Sequence, residues 1–277
     1  MSRTRLWMVL ACLTLVAGAL IAAGCGGDDD DDDGVAAGEP ELITEGTLTV
    51  GTDTPFPPFE IGQPPEITGY DIDVMNAVAE KLELTPEYED TSFDTIFRDV
   101  AQGRFDITAA ASTITPGRER TVDFSDPYYE AQQALVVGED SDIASVEDLG
   151  GAIVGAQDAT TGETYANDET EASEVRGFPE GPDAIAAVRS GQVDAAIIDQ
   201  PVAIDAEEKQ GGVQIVEEIT TEELYGFAMA PDNDALREDV NDALTELKDD
   251  GTIADLYEQY FKTEPPESVL EGTNEPT

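Results

Sequence analysis

Histidine is absent from the 277-residue sequence, cysteine occurs twice, and only four of the 13 basic residues are lysine. Without histidine, imidazole acid–base catalysis and His-ligated metal sites are excluded. The basic residues face 62 acidic ones, for a formal net charge of −49. Nucleic-acid binding through a basic footprint is disfavoured, because a phosphate backbone would meet a field of its own sign. A surface this acidic and this poor in lysine repels itself at low salt and is screened at high ionic strength, which is the logic of halophilic proteins. An ordinary acidic exported protein is the alternative. Apolar residues are not lacking. At 40% hydrophobic the chain lies well above a disordered composition, and its length allows one or two domains.

The N-terminus reads as an address. Arg3 and Arg5 form a short positive start, and Leu6 to Ala23 run apolar apart from Thr14 and Gly18. The segment ends Ala22-Ala23-Gly24-Cys25, small residues before a cut site, as in an export signal. Small residues directly before a cysteine resemble the lipobox of bacterial lipoproteins, which implies a signal peptide over 1–24 and lipidation of Cys25. Ala22 departs mildly from that pattern, where leucine or valine is commoner. An uncleaved membrane anchor is the competing reading. Six consecutive aspartates, Asp28 to Asp33, must be solvated, so residues 25–41 are expected to form an acidic flexible tether. Cys12 would leave with the signal and Cys25 would be acylated, so the mature domain would hold no free thiol and no disulfide.

From Leu42 onward, short apolar runs alternate with segments of helical period. Leu48 to Thr52 reads as a strand entering a proline-rich loop, Pro55 to Pro65. A helix is expected from about Asp71, with Val74, Val78 and Leu82 on one face. Asp94 can cap a second helix, ended by Gly103. Asp106 to Ala111 reads as a strand, and Thr115-Pro116 has the form of an N-cap followed by a helix. After a strand at Ala134 to Val137 the pattern restarts: strand at Ile153, helix near Gly162, helix from Pro182 to Ser190, strand at Ala195 to Ile198. Strands follow at Val213 to Val216 and Phe227 to Ala230. Two helical stripes close the series, the first formed by Leu236, Val240, Ala243, Leu244 and Leu247. Helices between strands predict parallel α/β sheets with covered faces. Residues from Pro265 onward read as a frayed tail.

Several stretches carry a resemblance when taken in order. They are Gly51 to Glu60 (GTDTPFPPFE), Gly69 to Asp73 (GYDID), Gly103 to Asp106 (GRFD), and Thr113 to Arg120 (TITPGRER) followed by Val122 to Tyr129 (VDFSDPYY). Ala159 to Gly162 and Gly191 to Ala195 follow, with Asp199 at a strand end. Together they resemble the extracytoplasmic solute-binding proteins of amino-acid ABC transporters, the bilobed family of the bacterial glutamine- and histidine-binding proteins. The resemblance covers about Leu42 to Phe261. It implies an α/β fold of the type II periplasmic-binding kind, with two mixed sheets flanked by helices and two β-strand hinge crossings. Lobe 1 is expected over 42–133 plus 227–263, lobe 2 over 134–226, and a C-terminal tail over 264–277.

An α-amino acid is a zwitterion, so its site needs a cation and oriented N–H groups for the carboxylate and an anion for the ammonium. Position by position, the resemblance implies that Arg118 clamps the carboxylate. A planar guanidinium can hold it bidentately, as lysine cannot. The alternative for any arginine in so acidic a chain is a surface pair. Ala111 and Thr113 are implied as further carboxylate donors against simple strand-end packing, and Thr161 and Gly162 as the second lobe's helix-opening contribution against a bare N-cap. Asp199 is implied as the partner of the ammonium, against a turn or cap role. Asp53 lies just after the first strand, Phe56 and Phe93 match aromatic positions that sandwich the ligand, and Gln157 matches a position that touches the ligand side chain in some members.

The expected function is an amino-acid-binding lipoprotein held by a lipid anchor at the outer face of the cytoplasmic membrane. It would deliver a polar or basic L-amino acid to ABC permease subunits by hinge closure. A monomer is expected, with no cofactor, no metal, no nucleic-acid partner and no catalytic residue. Two rival readings are an enzyme on the same fold, such as a cyclohexadienyl dehydratase-like lyase, and the sensor domain of a receptor.

Overall fold

The structure, a computed structural model, describes residues 40–274. The expected signal segment, Cys25 and the tether up to residue 39 lie outside the described residues. In chain order the elements are β1 (Thr47–Thr52), β2 (Ile61–Gln63), β3 (Glu66–Thr68), α1 (Tyr70–Lys81), β4 (Thr85–Asp90), α2 (Phe93–Ala101), β5 (Ile107–Thr108), β6 (Asp123–Phe124) and β7 (Tyr129–Gly138). There follow β8 (Ile153–Gln157), α3 (Thr161–Glu169), β9 (Glu174–Phe178), α4 (Gly181–Arg189), β10 (Ala195–Asp199) and α5 (Gln200–Gln210). The last are β11 (Val213–Tyr225), β12 (Ala228–Met229), α6 (Asp234–Asp249), α7 (Thr252–Phe261) and α8 (Glu267–Leu270).

The strands form two five-stranded sheets, ordered β4-β1-β5-β12-β6 and β11-β7-β10-β8-β9. The expected parallel pairings are present where helices intervene, at β1–β4, β1–β5, β8–β9 and β8–β10. Pairing turns antiparallel at β7, β11 and β12, so both sheets are mixed. The longest of these, β7 and β11, pair from Tyr129↔Tyr225 to Val213↔Gly138. Their first-lobe end is tied to the first sheet's side by a bridge between Thr113 and Tyr225 and by Tyr128 N–H donating to Tyr225 O at 3.0 Å. These two strands are the crossings between the lobes.

Local sequence explains the helices. In α1, Val74 and Val78 are fully buried, Asp71 and Asp73 favour the positive N-terminal end of the helix dipole, and Lys81 the negative end. All five residues of the α6 stripe are buried. In α4, a proline in the first turn suits a helix start, and the left-handed Gly191 follows the end. Beneath the cleft the first lobe packs an aromatic cluster. Tyr128 stacks on Phe227 at 4.0 Å between centroids, and Phe59, Tyr70, Tyr129 and Phe261 meet within 4.6–6.2 Å. No helix among the described residues is long and apolar enough to cross a membrane.

Four local expectations are corrected. Thr115 does cap, accepting from Arg118 N–H at 3.2 Å, but residues 116–121 form turns only, because β6 begins at Asp123 before a helix can propagate. Ser92, not Asp94, is the N-cap of α2. The Pro55–Pro65 loop contains the start of a hairpin, with β2 pairing β3 around Pro64-Pro65. The segment after Pro265 is packed: Val269 is fully buried, and Asn274 N–H donates to Asp126 Oδ1 at 2.7 Å.

Gly69 is a position where the backbone demands glycine outright. It caps α1 at φ +134°, and a Cβ there would lie 1.9 Å from Phe59 O and 2.5 Å from its carbonyl carbon. Neither backbone atom can yield without moving the loop that leads to α1. Gly69→Ala is therefore expected to lower unfolding stability by about 3 kcal/mol, at the upper end for a strained backbone site. Denaturant midpoints at equal slope would measure this.

Candidate functional site

Ligands of open α/β sheets sit outside the carboxyl ends of the parallel strands, and here five such ends converge from both sheets. Asp53 follows β1, Phe93 follows β4, Ala110 and Ala111 follow β5, Gln157 ends β8 and Asp199 ends β10. They line one cleft together with Phe56, Thr113, Arg118, Thr160 and Thr161. Its free space is about 10 Å³, room for about one water, so the cleft stands nearly closed in this structure. Nine of the ten expected binding residues therefore share one cavity. The tenth, Gly162, lies directly behind it: a Cβ there would stand 2.9 Å from Gln133 Oε1 and 3.3 Å from Ile197 O, so the start of α3 rests against the hinge strand β7.

Arg118 reaches across the cleft. Its Nη1 donates to Thr113 O at 2.7 Å on its own lobe, and its Nη2 to Ala159 O at 3.2 Å on the other. The guanidinium lies over Phe97 at 4.6 Å and Phe93 at 5.1 Å from the ring centres, which fixes its plane. Burial brings its pKa down to about 10, still far above neutrality, while Glu223 and Asp199 act in the opposite direction. Among the described residues Arg118 makes no ion pair. In a chain with 62 acids this is a site where the positive charge stays uncommitted. The surface-pair reading does not describe it.

The loop beside Arg118 is held from below. Ala111 takes a left-handed φ of +43° and donates its N–H to Asp71 Oδ2 at 2.8 Å, the same oxygen that accepts from Tyr128 Oη at 2.7 Å. Glu60, fully buried, lies against Asp71, and burial and that neighbouring acid push its carboxyl well above the ordinary range. A proton held between the two acids would satisfy one oxygen of each; Glu60 Oε1 and Oε2 and Asp71 Oδ1 have no other partner. Ala111 N–H is thereby occupied, so its expected role as a carboxylate donor is not what this geometry shows; it shapes the loop instead.

On the second lobe, Thr160 caps α3, its Oγ1 accepting from Glu163 N–H at 3.1 Å, and Thr160 and Thr161 bring the start of that helix to the cleft. Asp199 accepts from Gln133 Nε2, its register partner on β7, and from Tyr225 Oη. Its carboxyl is pushed up to about 7, first by burial and then by Glu223. Asp53 accepts from Gln157 Nε2 at 2.6 Å across the cleft, and Gln157 also donates to Pro179 O at 3.2 Å. Burial, followed by the nearby Glu180, pushes Asp53 up to about 7 as well. Both carboxyls gain from a cation beside them. Sequence reasoning missed Gln133, Thr160, Tyr225 and Glu223; only the Thr160-Thr161-Gly162 cap signature carried a local signal for one of them.

A cation on one lobe thus faces an anion and a helix N-terminus on the other. The profile of the bacterial extracellular solute-binding proteins, family 3, matches residues 48–263, and the chain belongs to that family. It is 32% identical over 206 residues to the ABC transporter glutamine-binding protein GlnH of Bacillus subtilis, an alignment covering 73% of this chain and 76% of that one. Among solved structures, an ancestral arginine-binding protein bound to arginine is 39% identical with a TM-score of 0.74, covering 78% of this chain and 98% of that one. The arginine-, lysine-, histidine-binding protein ArtJ of Geobacillus stearothermophilus is 32% identical with a TM-score of 0.76, covering 81% and 99%. These relatives are binding proteins and not enzymes, and this chain is likewise a binding protein.

Proposed function

We propose that the protein captures a basic L-amino acid outside the cytoplasmic membrane and hands it to an ABC importer permease, tethered there through a lipidated Cys25. The observation that carries this reading is the placement of Arg118 and Asp199 from opposite lobes at one cavity. Arg118 and the first-turn N–H groups of α3 would take the α-carboxylate, Asp199 the ammonium, and Phe56 and Phe93 the flat faces of the ligand. Lobe closure about β7 and β11 would then shed water from these charged contacts and strengthen them.

Charge balance selects the side chain. Once Arg118 and Asp199 are matched to the zwitterion, Asp53 remains in the same cavity, 4% exposed and held by the neutral Gln157. A buried carboxylate needs a counter-charge, and a lysine or arginine side chain supplies it. Two of the similar structures support the reading, one an arginine-binding protein with arginine bound and the other an arginine-, lysine-, histidine-binding protein.

A thermal-shift panel of the twenty amino acids tests this. At about 1,000 times its Kd a ligand adds about 4.1 kcal/mol, and in a domain of this size each kcal/mol is worth about 2–4 °C. Arginine or lysine is expected to raise the unfolding temperature by about 8–16 °C, glutamine less, and aspartate and glutamate not at all. A largest shift with an acidic amino acid would overturn the assignment of Asp53.

A further inference from the structure

Between the lobes lies a third carboxylate that no motif marks. Glu223 stands on β11 opposite Ala131 of β7, just past an irregularity in the pairing, beside Glu222 at φ +51°. It is 8% exposed. Its Oε2 accepts two hydroxyl protons, from Thr113 Oγ1 at 2.6 Å and from Thr161 Oγ1 at 2.7 Å. Its Oε1 accepts from Gln133 Nε2 at 3.2 Å, and the same amide donates to Asp199. Thr113 belongs to the first lobe, in the loop after β5, and Thr161 opens α3 in the second. The two donors come from opposite lobes and the acceptor from the strand that joins them.

A threonine hydroxyl has one proton to give, and an ionised carboxylate can only accept. Two hydroxyls can share one oxygen only while their lobes are drawn together, so this contact belongs to the closed form and is lost when the lobes part. Every atom in it belongs to the chain, so no ligand atom is needed to form it. A strut within one lobe would take both donors from the same side, and Glu223 does not.

We propose that Glu223 is a positioning residue: it latches the two lobes through Thr113 and Thr161 and so populates the closed cleft in advance of the amino acid. The proposal rests on the lobe closure put forward above. A ligand's apparent Kd is its intrinsic Kd divided by the fraction of protein already competent to bind, so the latch raises affinity without touching the ligand.

The test is made on ligand-free full-length protein with Cys12 and Cys25 replaced by serine and spin labels on cysteines at the exposed Gln102 and Asp168, one in each lobe. Double electron–electron resonance reads the closed and open distances. Breaking a hydrogen bond to a charged group is worth about 1.5–3 kcal/mol, so Glu223→Ala should lower the closed-to-open ratio by roughly 10- to 100-fold. Thr161→Val removes one donor and leaves the hinge residue in place, so it carries the test should Glu223→Ala not fold. It should lower the ratio in the same direction, and the double variant should lose no more than Glu223→Ala alone. A ratio within about twofold of the unsubstituted protein in either single variant, or losses that simply add, overturns the latch. If saturating arginine, with binding confirmed by calorimetry, left the open distance of Glu223→Ala or Thr161→Val unchanged, hinge closure itself would fall, a result distinct from a latch that fails while closure stands.

Discussion

Arg118→Ala is expected to weaken amino-acid binding by about 10²- to 10³-fold or more while leaving the fold intact. In the closed cleft a ligand carboxylate beside Arg118 would form a largely buried ion pair. Removing one partner of such a pair costs about 3–5 kcal/mol, because the other charge is left uncompensated, and each 1.4 kcal/mol is tenfold in affinity. The fold should survive, since Arg118 contributes only carbonyl contacts at 2.7 and 3.2 Å and stacking on Phe93 and Phe97. Arg118→Lys should also bind poorly, because an ammonium has neither the planar fork nor the flat face that packs on the two rings. Arg120, two residues on, is exposed and donates to Pro116 O at 2.9 Å, so Arg120→Ala should change affinity by less than about twofold. Calorimetry on the three variants, after circular dichroism confirms folding, reads the result. Binding within about tenfold of wild type in Arg118→Ala would remove Arg118 from the role of carboxylate ligand.

Helices were the most legible part of the sequence, because their apolar residues recur at a spacing that survives high charge. The α6 stripe of Leu236, Val240, Ala243, Leu244 and Leu247 is buried as the spacing predicts. The crossing strand β11 runs to Tyr225, well beyond the Val213 to Val216 that the apolar pattern marks. Its sequence, VQIVEEITTEELY, breaks the alternation of a half-buried strand, and its pairing with β7 is itself irregular at two places. Thr115-Pro116 spelled a true capping signal whose helix is cut off by the approach of β6, which is a tertiary fact.

The candidate site shows the same division. Arg118, Thr113 and Asp199 could be placed because each sits in a run of recognisable residues at fixed spacing. Glu223 could not be singled out, since Glu217, Glu218 and Glu222 stand in the same strand and nothing local distinguishes a carboxylate that meets two threonines from its solvated neighbours. Asp71 was visible as part of a motif and a helix start. That its carboxylate holds the Ala111 N–H in a left-handed turn emerges only when β5 and α1 are brought together.

Protonation of Asp199 alone is expected to cost the amino acid about 30-fold in affinity between pH 8 and pH 5.5, and Asp199→Asn is expected to abolish that share of the pH dependence along with most of the affinity. Burial and Glu223 push the Asp199 carboxyl up to about 7, against about 3.9 in an unfolded chain. For the protein without ligand the sign is clear. A folded pKa above the unfolded one gives stability that is fully present below about 4 and lost as pH rises through about 7, so the empty protein gains stability on acidification. An ammonium placed beside Asp199 acts oppositely, because it favours the ionised form and binding must expel the proton wherever one is held. At pH 5.5, about 1.5 units below the folded value, only about one site in 30 is ionised, hence the 30-fold loss. Asp53, also pushed up to about 7, steepens the loss for a cationic side chain beyond that of a neutral one. Asp199→Asn keeps the size of the side chain and one of its two accepted hydrogen bonds but offers the ammonium no charge, so its affinity at pH 8 should be lower by about 10²-fold or more. Titration calorimetry between pH 5.5 and 8, repeated in two buffers of different ionisation enthalpy, measures both the affinity and the protons released. An affinity that stays level over that range, with no proton release near pH 6.5, would mean that the ammonium does not sit against Asp199.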